Sequence, residues 1–229
     1  MECETEAEGG GVTRGVVLSL CDITGNFVQP WVDAGYQAIL VDPQHGVTHW
    51  DGPVLKVAGT VLEAMPLIRD YLPQVVFVAG FPPCTDMAVS GARWFADKWK
   101  ADSAFFAKAV NVAEQCRTLA EMTGAPYLIE NPVSTLSQVF GKASYSFNPW
   151  QYTALEPGDN YTKKTNLWTG GGFVMPAPQQ LAGLDAPDNR IHMATPGPER
   201  ANIRSVTPMG FARAVFASNA QLLTSGRTQ

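Results

Sequence analysis

Short apolar runs alternate along this chain with segments whose apolar residues recur every three or four positions, and this alternation limits the possible folds. Four apolar runs have the length of buried strands, at residues 16–21, 37–41, 75–79 and 127–130. Helical spacing is found at residues 27–35, 61–71 and 103–122. Strands separated by helices are typical of a parallel sheet with helices on both faces, so we expect an α/β fold. Ser103 is predicted to cap the longest helix and Gly124 to end it.

After residue 148 the alternation gives way to a segment rich in proline and glycine. We expect loops there, with short strands at 165–168 and 173–175, and then an amphipathic helix over 208–223. The predicted organisation is an acidic, disordered N-terminus (1–14), a main domain (15–170), a small loop-rich module (171–203), a helix that returns to the main domain (204–224) and a tail (225–229).

Composition limits the classes of protein to which the chain can belong. Hydrophobic residues make up 45% and charged residues 16%, which is enough for a substantial core. The N-terminus is acidic and no long apolar run occurs, so we expect a cytoplasmic protein without membrane contact. The cysteines and histidines lack metal-ligand spacing, so we expect no metal site. The net charge of −5 argues against broad non-specific binding of nucleic acid.

Cys84 ends a stiff loop that directly follows a predicted strand. The loop reads Gly-Phe-Pro-Pro-Cys, and its two prolines fix φ, which would hold the thiol at the carboxyl edge of the sheet. A thiolate in a fixed position is suited to nucleophilic attack. The same spacing fits a buried structural cysteine equally well.

Glu130 ends the apolar run Tyr-Leu-Ile-Glu at residues 127–130. A carboxyl group in apolar surroundings loses hydration, which raises its pKa. A carboxyl that keeps its proton near neutral pH can donate a hydrogen bond or a proton to a ring nitrogen. The alternative is a carboxylate that caps a loop or a helix.

In their order along the chain, these motifs resemble those of the cytosine-5 DNA methyltransferases, and of small phage-type members in particular. Residues 82–84 (Pro-Pro-Cys) and 130–131 (Glu-Asn) match the family's Pro-Cys and Glu-Asn motifs. Residues 161–168 lie where the family has a basic strand, and residues 204–206 resemble its late Asn-Ser-Val motif. The resemblance spans about residues 16–220 and implies a Rossmann-like, S-adenosylmethionine-dependent methyltransferase fold with 171–203 as a reduced recognition module.

The resemblance implies a reaction in which Cys84 attacks C6 of a cytosine while Glu130 holds N3, so that C5 accepts a methyl group. Lys163 would place positive charge near the base. The cytosine would be flipped out of double-stranded DNA, at a cost of about a few kcal/mol. The implied enzyme is a monomer in the cytoplasm of a bacterium or a phage-infected host. The implied nucleic-acid contacts are Ser90, Arg93, Lys164 and Arg204.

The resemblance also implies residues that bind S-adenosylmethionine. They are Asp22, Thr24, Gly25, Asn26, Phe27, Asp42, Pro43, Pro82, Ser205 and Val206. The chain departs from the family where acidic residues are expected, at Ser19 and Thr60, and where the second arginine of the basic strand is expected, at Thr165. Asp22 could replace one lost acidic contact, or it could form an Asx turn.

Three further functions stay open on the sequence. The same fold and cysteine could use a different one-carbon donor and so hypermodify a base, since the cofactor loop is altered. The chain could also be a catalytically silent nucleic-acid-binding module. Finally, RNA could be the substrate in place of DNA.

The small recognition module predicts a short target sequence. Only about 33 residues (171–203) are available to contact base edges, and each good bidentate contact gives about 1–3 kcal/mol of discrimination. We therefore expect a site of roughly two to four base pairs, measured by mapping methylation at base resolution. A site with about six or more specified positions would contradict this expectation.

Overall fold

The computed structural model describes residues 14–191, 193, 197 and 200–225, and an eight-stranded sheet forms the centre of this part of the chain. The strands are β1 (Val16–Leu20), β2 (Gln37–Val41), β3 (His49–Asp51), β4 (Val54–Val57), β5 (Val75–Gly80), β6 (Tyr127–Pro132), β7 (Tyr145–Phe147) and β8 (Thr165–Gly170). The α-helices are α1 (Gln29–Asp33), α2 (Val61–Ile68), α3 (Phe95–Ala101), α4 (Phe105–Thr123), α5 (Ser137–Phe140), α6 (Arg200–Ser205) and α7 (Met209–Ser225).

The sheet has the strand order β3-β4-β2-β1-β5-β6-β8-β7. Its five central strands, from β4 to β6, run parallel, which confirms the predicted α/β class with a mostly parallel sheet. The edges are antiparallel, because β3 pairs with β4, β8 with β6, and β7 with β8 in that sense. The chain builds one half of the sheet outward from β1 and then returns to the other side of β1 with β5. Ligands of such sheets bind at the carboxyl ends of the strands, where the order reverses.

Helices cover both faces of the sheet because its central strands are apolar on both sides. All five residues of β1 are buried, and alternate side chains point to opposite faces. Leu18 packs in the cluster that includes residues of α2 and α4, whereas Val17 packs in the cluster that includes residues of α1 and α7. The two clusters fix the sheet between two helical layers.

The central strands lie close to their predicted positions, but the predicted N-cap of the longest helix was wrong. The strand at 37–41 coincides with β2, and β1, β5 and β6 differ from prediction by at most two residues. Gly124 ends α4 with a left-handed φ of 67°, as predicted. Ser103 does not cap this helix. The Asp102 carboxylate instead accepts a hydrogen bond from the Ala104 N–H at 2.9 Å, and α4 begins at Phe105.

Several elements outside the central strands differ from prediction. α2 ends at Ile68 and continues as a 3-10 helix over Arg69–Gln74, a segment that contains Pro73. Residues 173–175 form no strand, because the Phe173 N–H donates to the Gly170 carbonyl oxygen in a turn. α7 confirms the predicted C-terminal helix. The predicted terminal segments, 1–14 and 225–229, lie almost entirely outside the described residues, and the division into domains stays a prediction.

A close approach of β5 to α4 at Gly80 provides a test of the packing. A Cβ atom on Gly80 would lie 2.8 Å from Cδ1 of Ile129 and 3.0 Å from Cβ of Cys116. We expect Gly80→Ala to lower the free energy of unfolding by about 1–3 kcal/mol, because the extra methyl group overpacks this contact. Urea denaturation monitored by circular dichroism measures the change.

The matched control is Gly91→Ala, since a Cβ there would meet only the Thr85 carbonyl oxygen, at an ordinary 3.7 Å. Equal stability losses in the two variants would contradict the described packing of β5 on α4.

Candidate active site

The loops after β1, β2, β5 and β6 meet at one edge of the sheet, because these strands are parallel and close together. Backbone hydrogen bonds continue beyond the strand ends: the Phe81 N–H donates to the Leu20 carbonyl oxygen at 2.9 Å, and the Cys21 N–H to that of Val41 at 2.7 Å. This edge carries Cys84 in the loop after β5 and Glu130 near the end of β6. We call it the candidate active site.

Hydrogen bonds on both sides fix the loop of Cys84. The Cys84 carbonyl oxygen accepts from the N–H groups of Met87 and Ala88, at 2.9 and 2.8 Å, which closes a tight turn. The Thr135 N–H donates to the Met87 carbonyl oxygen at 2.9 Å, so the chain after β6 holds this turn from the other side. Cys84 is half-buried in this turn.

Asn131 of β6 joins that strand to the same loop. The residue is fully buried, and its Nδ2 donates a hydrogen bond to the carbonyl oxygen of Pro82 at 3.2 Å. Its Oδ1 has no hydrogen-bond partner within the described part of the chain. The sequence matched Asn131 only as the partner of Glu130, and its contact with the loop of Cys84 was not predicted.

Four charged or ionisable groups are close enough to influence one another at this edge. Burial raises the pKa of the Cys84 thiol, and the negative charge of Glu130 raises it further. The positive charges of Lys163 and Arg204 lower the same pKa. The structure thus brings together the three residues predicted to act in catalysis, and it adds Arg204, which was predicted only as a nucleic-acid contact.

Burial also raises the pKa of Glu130, so its carboxyl group keeps a proton to higher pH than an exposed glutamate. The charge of Lys163 and a hydrogen bond with Thr165 act in the opposite direction. Lys163 is held in place because its Nζ donates to the Val206 carbonyl oxygen at 3.1 Å. It reaches the end of β6 because β8 runs antiparallel to β6, so that Thr165 pairs with Pro132.

The loop after β1 is organised by the carboxylate of Asp22. Its Oδ1 accepts from the N–H groups of Thr24 and Gly25, at 3.0 and 2.9 Å, and from the Thr24 hydroxyl. Its Oδ2 accepts from the Ser19 hydroxyl at 2.8 Å. Asp22 therefore forms the Asx-type turn that was one of its two predicted roles. Asn26 ties this loop to the chain before α7, since its Nδ2 donates to the Thr207 carbonyl oxygen at 3.4 Å.

Asp42 and Pro43 follow β2 at the same edge. The Asp42 carboxylate is buried, and its Oδ1 accepts from the Gln44 N–H at 2.8 Å. The described residues donate no hydrogen bond to its Oδ2. Nε2 of His45 lies 3.1 Å from the Asp22 carbonyl oxygen and so connects the loops after β1 and β2.

Other predicted cofactor residues have packing or capping roles. Phe27 is fully buried against Phe77 and Phe81, with ring centroids 5.7 Å apart in both pairs, so a ligand at the edge cannot touch its ring in this conformation. Pro82 is buried in the loop of Cys84. Thr60, the position of a missing acidic residue, caps α2 in a capping box with Glu63, which was not predicted.

The predicted nucleic-acid contacts lie around this cluster. Ser90 and Arg93 are exposed in the 3-10 helix Val89–Trp94, and Lys164 is exposed beside Lys163. Ser205, which was predicted to bind the cofactor, is exposed at the end of α6, where its hydroxyl donates to the Asn202 carbonyl oxygen at 2.9 Å. All of these contacts stay predictions.

Two cavities of the described structure lie away from Cys84 and Glu130. One, of about 250 Å³, is a groove between α2 and α4, and the other, of about 310 Å³, lies beside Trp150. Within the described residues no three or more His, Cys, Asp and Glu side chains group as metal ligands would. No helix of the described segments has the length and apolar character needed to cross a membrane.

No model of a known protein family matches the chain, and no curated protein matches it.

The opposing influences on Cys84 predict opposite shifts in its reactivity. Glu130→Gln removes a charge that raises the pKa of the thiol, so the pH profile of alkylation should move to lower pH. Lys163→Met removes a charge that lowers this pKa, so the profile should move to higher pH. Iodoacetamide labelling of the peptide that contains Cys84, quantified by mass spectrometry across pH, measures both shifts.

Lys164→Met is the matched control, because Lys164 is the exposed neighbour of Lys163 and does not contribute to the pKa shift of Cys84. Shifts in the same direction for Glu130→Gln and Lys163→Met would contradict the described arrangement.

Proposed function

We propose that this chain is an S-adenosylmethionine-dependent methyltransferase that acts on C5 of cytosine in DNA. The observation that carries the proposal is the cluster of Cys84, Glu130 and Lys163 at the carboxyl edge of a parallel sheet, beside the point where the strand order reverses. A nucleophile, a carboxyl that retains its proton and a cation are the groups needed to activate a pyrimidine ring. The motifs that resemble the family supply the same residues in the same order.

The cluster suits a reaction that begins with attack of the Cys84 sulfur on C6. The new S–C6 bond pushes electron density into the ring, and a proton or hydrogen bond from Glu130 to N3 stabilises that density. Burial raises the pKa of Glu130, which favours the protonated form of its carboxyl group. The raised pKa of Cys84 leaves the thiol largely protonated in the free protein, and the charges of Lys163 and Arg204 favour its ionisation. C5 then becomes the nucleophilic carbon and would take the methyl group that the cofactor supplies. A base would next remove the C5 proton, so that the electron pair of the C–H bond restores the C5–C6 double bond while the S–C6 bond breaks and frees Cys84.

The residues of the edge fit S-adenosylmethionine. The buried carboxylate of Asp42 has one oxygen to which the described residues donate no hydrogen bond, which suits the hydroxyl groups of a ribose. The Asp22 turn and Pro43 would line the same place, between the ends of β1 and β2. When bound, this cofactor supplies an electrophilic methyl group. Asp22 serves there by shaping the loop, since both of its carboxylate oxygens are occupied within it.

The region between β8 and α6 supports a short target sequence. Its described residues form no helix or strand. One of them, Asp188, forms an isolated β-bridge with Tyr161, a residue that precedes β8. The salt bridge of Asp188 with Arg190, whose guanidinium lies 5.4 Å from the centre of the Tyr161 ring, braces this bridge. The segment has few residues, so few of its side chains can reach base edges.

Covalent trapping tests the proposal. The wild-type protein should form a denaturation-resistant complex with DNA that contains 5-fluorocytosine, and only with S-adenosylmethionine present, because fluorine at C5 blocks release of the cysteine. Cys84→Ala should abolish the complex and lower methyl transfer at least about a thousandfold. Gel electrophoresis and transfer of a labelled methyl group measure the two effects.

Cys116→Ala is the matched control, because Cys116 is a buried thiol on α4 that belongs to the core. The proposed function would be overturned if Cys84→Ala still formed the covalent complex, or if Cys84→Ala transferred methyl groups at the wild-type rate. Trapping that requires a different one-carbon donor would overturn the assignment of the cofactor.

A further inference from the structure

Two tryptophans lie exposed on the segment that follows Cys84. Trp94 ends the 3-10 helix Val89–Trp94 and is 53% exposed, and Trp99 in α3 is 59% exposed. Trp99 touches Phe105 with one edge, at a centroid distance of 6.4 Å, and the guanidinium of Arg93 lies 5.0 Å from the centre of the Trp94 ring. Both indoles thus leave a large apolar area in contact with water.

Positive charges accompany these rings. Arg93, Lys98 and Lys100 lie within the same twelve residues, 89–100, and Asp97 is the only acidic residue among them. The Nζ of Lys98 donates to Oδ1 of Asp86 at 2.6 Å and to the Thr85 carbonyl oxygen at 2.8 Å. Thr85 is the neighbour of Cys84, so these bonds hold the exposed surface beside the proposed nucleophile. We call Trp94, Trp99 and the three cations the aromatic-cationic surface.

The described part of the segment between β8 and α6 lacks the usual element for reading duplex DNA. Direct readout needs a helix or a two-stranded ribbon that enters the major groove, and the described residues between β8 and α6 form neither. Aromatic rings flanked by a few cations instead suit single strands, whose bases expose their faces for stacking.

We infer that Trp94 and Trp99 stack on unpaired bases next to the target cytosine, and that the preferred substrate is single-stranded DNA. This inference rests on the proposed function and replaces the double-stranded substrate that the sequence resemblance implies. Arg93 and Lys100 contact the backbone phosphates of the strand, while Lys98 holds the surface against the loop of Cys84.

Binding of oligothymidylate to the full-length protein tests the surface without relying on methyl transfer. Fluorescence anisotropy should show that a labelled oligothymidylate binds at least about tenfold more tightly than a hairpin duplex of the same length. Trp94→Ala and Trp99→Ala should each weaken single-strand binding about tenfold, and Trp94→Phe should retain most of it because a ring remains.

Trp50→Ala is the matched control, because Trp50 is 47% exposed on β3, at the far edge of the sheet from β6. The inference is overturned if the duplex binds as tightly as the single strand, if only an RNA oligonucleotide binds, or if the Trp94 and Trp99 variants bind like Trp50→Ala.

Methyl transfer to cytosine-containing single and double strands separates the two proposals. Transfer to the duplex that is unaffected by Trp94→Ala and Trp99→Ala overturns the inference and leaves the proposed function standing. Absence of transfer to every DNA, with oligothymidylate binding still dependent on the tryptophans, overturns the proposed function and supports the stacking surface.

Discussion

The candidate active site depends on the connection between the loop after β5 and the chain that leaves β6. Parallel neighbours bring their carboxyl ends to the same edge, but adjacency alone does not hold a flexible loop. Here the amide of Asn131 binds the Pro82 carbonyl oxygen, and the Thr135 N–H binds that of Met87, from opposite sides of Cys84. Because Asn131 is fully buried, water does not compete for its hydrogen bond. These two hydrogen bonds therefore hold the loop of Cys84 against the chain that carries Glu130.

The fold was predictable where burial determines the pattern of residues. Strands such as β1 and β2 are covered on both faces, so they read as uninterrupted apolar runs of nearly the right length. The edge strands β3 and β7 have only three residues each and are mostly exposed, so their sequences show no alternation of apolar and polar residues that would indicate a strand. Phe173 has the burial expected of a strand residue, yet a turn at Gly170 governs its backbone. Such turns depend on tertiary contacts that a local pattern does not contain.

For the site, the sequence indicated which residues are present but not how they are bonded. Cys84 and Glu130 could be predicted because both come at the ends of apolar runs, where parallel sheets gather polar groups. The hydrogen bond of the buried Asn131 could not be read from spacing, because it joins two separate segments of the chain. The turn of Asp22 is local and was one of the two roles that the sequence left open, and its hydrogen bonds with Ser19, Thr24 and Gly25 decide between them. Spacing likewise does not decide the exposure of Trp94 and Trp99, since an indole has a large apolar ring and a polar N–H and is found both in cores and at surfaces.

The antiparallel direction of β8 determines how insertions or deletions in the loop-rich segment affect Lys163. Since β8 opposes β6, Lys163 enters the site from the start of its strand, whereas the loop-rich segment leaves from the finish of that strand at Gly170. The sheet and the Val206 carbonyl oxygen anchor the lysine, and the bridge between Tyr161 and Asp188 ties the chain just before it to the loop-rich segment. Insertions or deletions in that segment would therefore be transmitted to Lys163, so the segment and the surroundings of Cys84 are constrained to change together.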